Sequence, residues 1–322
     1  MPLTVEDLFA TPDHYLHSFD GDAAIFIPMD RAAYHRSIFL DRRISPSAAQ
    51  TMALPVQTLV PPPSRAAPTA WIFHMAHCGS TLFARALDDP TASLVLREPF
   101  ALRQIGLSPD TDRLNLALAM LGKRYRVDAP TLVKANVPVN FLLPQLAEAD
   151  PSARAIFLYL PLRPYLLAIL RSDAHRAWLG NVTGQLKPYL GDLSSAPIAE
   201  RAATLWLTQI DAFARALAAM PNAAALNAEM LFAAPLHVLR AAVRHFGIPI
   251  SDEALEATVA GPLFSTHSKN PSVAFDNAAR MVLAAATERE FEAQIAAAEA
   301  WVARRGPMPS LDVRFGQREL IP

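Results

Sequence analysis

The chain is predicted to fold as an α/β protein, a three-layer α/β/α arrangement around a central parallel sheet with helical insertions. Two observations predict this. From Trp71 onward, short apolar runs alternate with stretches of helical periodicity, and such alternation marks a parallel sheet wrapped by helices. Within this region residues 71–83, WIFHMAHCGSTLF, pass from an apolar run through small and polar residues into a helical pattern at about Gly79. That is a strand feeding a tight loop and a helix N-terminus.

The elements follow in order. Residues 1–60 form an N-terminal extension of mixed α/β pattern, with a short helix near 5–10 and a hairpin turning at Asp20-Gly21-Asp22. Pro61-Pro62-Pro63-Ser64 opens a stiff connector over 61–69. The α/β domain is assigned to 70–310. Its strands are expected at 71–75, 94–96, 132–134, 155–160 and, more weakly patterned, 224–226, with 71–75 in the middle of the sheet. Trp206, Ile210, Phe213 and Leu217 share one helical face, as do Leu236, Leu239, Val243 and Phe246. A last helix through Phe291, Ile295 and Val302 is expected to stop at Gly306, leaving 311–322 as a tail. No internal repeat is apparent.

Composition narrows the function. The net charge is −1, so no basic field advertises nucleic acid or an anionic membrane. Prolines (28) outnumber glycines (11), consistent with helices joined by proline-punctuated loops. The single cysteine excludes an intrachain disulfide framework and a cysteine-based zinc cluster. No His/Asp/Glu spacing suggests a metal. The first residues, MPLTVEDLFATPD, carry acids and no apolar core, and the longest apolar run, 155–170, is cut by Arg163 and two prolines. A soluble cytoplasmic protein is expected.

The loop at 77–82 carries the chemistry. A helix start presents unpaired N–H groups and a positive dipole end, and so suits an anion. Gly79 lets the backbone approach closely, and the Ser80 and Thr81 hydroxyls add donors for phosphate oxygens. The nucleotide-hydrolase loop needs a glycine where His74 stands and a lysine where Ser80 stands. Without that lysine the charge that meets the β- and γ-phosphates is missing. The Cys-x5-Arg loop of tyrosine-type phosphatases fails too, because position 84 is alanine and Arg85 comes one residue late.

His77-Cys78-Gly79-Ser80-Thr81-Leu82-Phe83 resembles the 5′-phosphosulfate loop of sulfotransferases, a basic residue followed by Ser-Gly-Thr-Thr and two apolar residues. Here His77 replaces the usual Lys or Arg, and it is only fractionally charged near neutrality. Further segments resemble the family in the expected order over about 70–270: Arg97-Glu98-Pro99, Lys134-Ala135-Asn136-Val137-Pro138, and Glu229-Met230-Leu231 followed by Pro235 and Phe246-Gly247. The resemblance implies 3′-phosphoadenosine 5′-phosphosulfate as donor, held by His77, Cys78, Gly79, Ser80, Thr81 and Leu82. It also implies an arginine and a serine for the 3′-phosphate. Their gapless positions hold Leu160 and Ala168; a shifted register uses Arg163, with Arg171 or Ser172 two turns on. Arg163, Arg171 and Arg176 read as an anion-facing patch or as a solvated face. Lys269, in Thr266-His267-Ser268-Lys269, resembles a late loop contact over the donor, and a solvated lysine fits as well.

Sulfuryl transfer needs donors around the moving group, a cation near the leaving oxygen and a base for the acceptor. Glu98 is the candidate base; pairing with Arg97 or capping the next helix are its structural alternatives. Lys134, with His77, is the candidate cation, and a salt bridge to Glu98 would also satisfy it. Asn136 stands where cytosolic members of the family have a histidine base, and it can only orient a substrate. Cys78 reads either as a thiol activated at a helix start or as a serine-sized filler. The expected activity is sulfuryl transfer to a hydroxyl or amine of a small-molecule or peptide acceptor. The alternatives are a non-catalytic nucleotide- or anion-binding protein on the same scaffold, and a phosphotransferase using the same loop.

Overall fold

The computed structural model describes residues 4–63, 67–305, 311 and 315–321. Ser64 of the connector and Gly306, the expected helix stop, lie outside them. Ten strands are present among the described residues: β1 (His14–Asp20), β2 (Ala23–Pro28), β3 (Met52–Pro55), β4 (Ala70–His74), β5 (Leu94–Arg97), β6 (Thr131–Lys134), β7 (Ala155–Tyr159), β8 (Ala223–Asn227), β9 (Thr266–His267) and β10 (Asn270–Ala274). Five of them form the central sheet in the order β5-β6-β4-β7-β8, all parallel and flanked by helices. The five apolar runs are these five strands, and β4 is the middle one. β4 through β7 are buried along their whole length, which is why they read as unbroken apolar runs.

The chain leaves β4, skips one position to build β5, returns to β6 beside β4, and crosses to β7 on the other side. β4 is thus the point at which the winding reverses. In open parallel sheets the crevice beyond the carboxyl ends of the strands at such a point is where ligands bind.

Aromatic packing fixes the centre. Trp71 stacks on Phe73, Phe73 on Phe157, and Phe157 meets Phe213 at 5.0 Å between ring centroids. This joins β4 and β7 to the Ile198–Ala219 helix, whose Trp206, Ile210, Phe213 and Leu217 all point inward. The Asn277–Ala303 helix bends at Phe291, whose backbone is non-helical. Both sheet edges are covered, as stable sheets require. On the β5 side, Leu40 N–H donates to the Arg97 carbonyl at 2.8 Å and Phe100 N–H to that of Leu40 at 3.2 Å. On the β8 side, Leu320 N–H donates to Ala225 at 2.7 Å.

Residues 14–55 form an antiparallel three-stranded sheet, β1-β2-β3, whose hairpin turns at Gly21-Asp22 with Gly21 at φ +52°. The buried core runs without a break from this sheet into the main one. Arg97 forms the joint. Its guanidinium is 1% exposed, pairs with Asp88 at 2.7 Å and donates to the carbonyls of Tyr34 and Ser37 at 2.7 and 2.6 Å. Arg97 is therefore committed to the N-terminal unit and does not pair with Glu98. No helix among the described residues is long and apolar enough to cross a membrane.

Candidate functional site

A cavity of about 730 Å³ opens at the carboxyl ends of the strands. His74 ends β4, Glu98 follows β5, Asn136 follows β6 and Leu160 follows β7, and all four line it. So do His77, Cys78, Gly79, Ser80, Thr81 and Leu82. The loop expected to bind phosphate and the candidate base therefore face one space.

Local backbone geometry sets this up. Gly79 has φ +84° and precedes the Ser80–Ala86 helix, and a Cβ on it would lie 2.7 Å from Phe232 Cζ. Only glycine fits both the left-handed conformation and the ring packed against it. The first-turn N–H groups of Ser80, Thr81 and Leu82 have no carbonyl one turn back to bond. His77 and Glu98 are the two non-glycine residues with positive φ among the described residues, at +60° and +58°. Both line the cavity. Left-handed backbone at non-glycine positions is costly and gathers at functional sites.

Behind Glu98 lies a buried triad that the sequence only partly disclosed. Lys134 Nζ donates to Glu98 Oε1 at 2.5 Å and to His74 Nε2 at 3.0 Å. His74 Nδ1 in turn lies 2.8 Å from the Met75 carbonyl. Burial would raise the Glu98 carboxyl, but the Lys134 ammonium beside it, helped by His74, pulls it down to about 2. Lys134 is wholly buried and does not line the cavity. It cannot face a transferring group directly, as the sequence reading expected; it holds Glu98 instead.

Burial shifts the cavity histidines toward the neutral form. Burial, reinforced by His175 and nearby cations, holds His77 down at about 2, and burial holds His74 at about 3 and His175 at about 4. The His77 and His175 rings stack with centroids 3.6 Å apart, and Trp178 meets His77 edge-on at 5.1 Å. His77 Nε2 is buried without a hydrogen-bond partner. In the free protein His77 is thus an uncharged hydrogen-bonding group. The Cys78 thiol is 1% exposed and burial pushes it up, so it is no activated nucleophile.

The remaining arginines part company. Arg163 does not line the cavity. It faces the Asn277–Ala303 helix and pairs with Glu299 at 2.8 Å and Glu288 at 2.6 Å. Arg176 pairs with Asp173 at 2.5 Å and lies over the Phe291 ring. Ser172 caps the Asp173–Gln185 helix. Of the expected patch only Arg171 reaches the cavity, beside Leu160 and Ala168 of the gapless register. Lys269 lines it too and feels the charges of Glu98, Lys134 and Cys78. Sequence reading missed Arg43, Arg103, Trp178, Phe232 and Arg280 as lining residues, since helix and loop positions carry no motif. Arg280 pairs with Glu229 at 2.7 Å and covers Phe232 at 4.3 Å.

Among the described residues no group of three or more His, Cys, Asp or Glu is placed to hold a metal ion. Comparison with protein-family models, with curated proteins and with solved structures finds no match to this chain.

Proposed function

We propose that the chain is a sulfotransferase-like enzyme that moves a sulfuryl group from 3′-phosphoadenosine 5′-phosphosulfate to the hydroxyl or amine of a small molecule or peptide. The observation that carries this reading is the convergence on one cavity of the Gly79 turn, at the start of the Ser80–Ala86 helix, and the left-handed Glu98. The N–H groups and hydroxyls at 79–82 hold the 5′-phosphate, and Lys269 supplies the charge near the leaving oxygen. Glu98, aimed by Lys134, takes the acceptor proton as the new bond to sulfur forms. The bond from sulfur to the bridging oxygen breaks, and 3′-phosphoadenosine 5′-phosphate leaves. An anion in the site draws on the same cationic groups that hold Glu98 down, which raises its basicity when the donor is bound.

A second reading, a non-catalytic nucleotide- or anion-binding protein, is favoured by two specific observations. Glu98 sits at about 2 in the free site, low for a base, and the gapless 3′-phosphate positions are the apolar Leu160 and Ala168. A phosphotransferase is disfavoured by Ser80 standing where the loop lysine belongs.

Calorimetry with 3′-phosphoadenosine 5′-phosphate and with ATP separates these readings, together with turnover of the sulfated donor. The bisphosphate is expected to bind and ATP to bind more weakly. Hydrogen bonds to charged groups are worth roughly 1.5–3 kcal/mol each, so the Ser80→Ala/Thr81→Ala double variant should lose at least about tenfold in affinity. Unchanged affinity in that variant makes the loop structural. Binding without turnover of any acceptor leaves the binding-protein reading.

A further inference from the structure

Asn136 is 6% exposed, lines the cavity and makes no side-chain hydrogen bond among the described residues; its Oδ1 is buried and unpartnered. A buried amide without a partner needs an explanation, because leaving it unmade costs free energy. Its position is fixed next to Glu98: β5 and β6 run parallel in register, and Glu98 N–H donates to the Lys134 carbonyl at 2.7 Å. Glu98 and Asn136 therefore follow the ends of adjacent strands, and both line the cavity.

The charges at this end of the cavity do not cancel. Glu98 is matched by Lys134, and Arg43 by Asp41 at 2.6 Å while its guanidinium lies 3.8 Å over the Phe39 ring. Lys269 also lines this space and feels Glu98, and so does Arg103, one turn into the Phe100–Leu107 helix that follows Glu98. Arg103 donates to the neutral Gln185 Oε1 at 2.6 Å and has no carboxylate within ion-pairing distance among the described residues. Phe39 and Val137 provide apolar walls beside it.

From these residues we infer that the Glu98 end of the cavity is a subsite for a small hydroxy-carboxylic acid, its carboxylate on Arg103 and its hydroxyl between Asn136 and Glu98. The ligand carboxylate gives Arg103 the ion-pair partner it lacks, and its apolar frame lies against Phe39 and Val137. A planar carboxylate suits the fork of a guanidinium better than a lone ammonium. As the identity of the sulfate acceptor this rests on the proposed transfer activity; as a binding site it does not.

The test is titration calorimetry on the full chain, without nucleotide. The probes are 4-hydroxybenzoate, 4-hydroxyphenylacetate and 3-(4-hydroxyphenyl)propanoate, each beside its neutral amide; the series varies the distance from carboxylate to hydroxyl. At least one acid is expected to bind about tenfold or more tightly than its amide, the discrimination a charge-assisted pair supplies. That preference should fall to near parity in Arg103→Gln and survive in part in Arg103→Lys. It should persist in Ser80→Ala/Thr81→Ala, which changes the phosphate loop and leaves Arg103 and Asn136 in place. The inference is overturned if none of the acids binds, if acids and amides bind alike, if the preference survives Arg103→Gln, or if the loop variant abolishes it. Should the acid preference hold while the nucleotide bisphosphate fails to bind, the transfer reading fails and the subsite stands.

Discussion

At the scale of single residues, the site rests on backbone conformations that only particular side chains tolerate. Gly79→Ala combines left-handed strain of about 1–2 kcal/mol with a methyl 2.7 Å from Phe232. A lower melting temperature and weakened bisphosphate binding are expected together. Pairing it with Phe232→Ala should recover only the steric part, since φ +84° remains. A melting temperature equal to the parent's would mean that the turn adopts another shape in solution. Glu98→Gln removes the base but leaves the donor loop intact, so turnover should fall by about 10²–10⁴-fold with donor affinity nearly unchanged. The pH profile adds a sharper check. The free-protein Glu98 carboxyl lies near 2, and the lining histidines His74, His77, His175 and His267 are all held below their ordinary value by burial. Since kcat/KM reports groups of the free enzyme, it should stay flat as pH falls from 8 to about 5. An acid limb centred near 6–7 would assign the base to a histidine and remove Glu98 from that role.

At the scale of elements, β5 and the helices beside it hang on one buried ion pair. Asp88 is drawn on by Arg97, Arg31 and His35 together. Asp88→Asn leaves the Arg97 guanidinium buried and uncompensated, which typically costs about 3–5 kcal/mol; a denaturant midpoint within error of the parent's would refute this. Burial would raise the Asp88 carboxyl, but His35, Arg97 and Arg31 bring it down from 3.8 to about 2. A group depressed in the folded state stabilises above its unfolded value. That stability should be complete above about pH 5 and drain away as pH falls through 4 toward 2, and the variant should lack this dependence. Arg97 also shows what the sequence could reveal at this scale. The run at 94–96 was legible as a strand because its side chains are buried on both faces, but nothing local says that the arginine ending it turns inward. Its partners, Tyr34 and Ser37, are some sixty residues away. The phosphate-type loop was legible because its requirement for small residues is local. The Glu98–Lys134 pairing was foreseeable from adjacent strand ends, whereas His74 as its third member needed the register of β4 against β6. Arg163 was misplaced because the turn after β7 sets which helical face meets the cavity, and spacing alone does not fix that turn.

At the scale of the whole molecule, residues 1–60 read as a separate extension, yet they supply partners that the main sheet cannot do without. Leu40 caps the β5 edge, the carbonyls of Tyr34 and Ser37 accept hydrogen bonds from Arg97, and Gln104 exchanges two hydrogen bonds with the Phe19 backbone at 2.7 Å each. Lys123, 8% exposed, reaches back to the carbonyls of Leu8 and His14. These contacts bury charge on the main-sheet side and satisfy it from the N-terminal side. Opening the interface alone would break these bonds and expose the apolar core that runs continuously across it, a cost comparable to the stability of many whole domains. The chain is therefore expected to unfold as one cooperative unit. Native-state hydrogen exchange tests this directly, because amides report the free energy of the opening that exposes them. Leu16 and Phe26 in the N-terminal sheet should exchange with the same opening free energy as Ile72 and Phe157 in the central strands. Exchange at Leu16 and Phe26 through a distinctly cheaper opening would show an independent unit. The floor of the candidate site, which takes Phe39 and Arg43 from that side, would then be assembled by docking of two parts rather than built into a single fold.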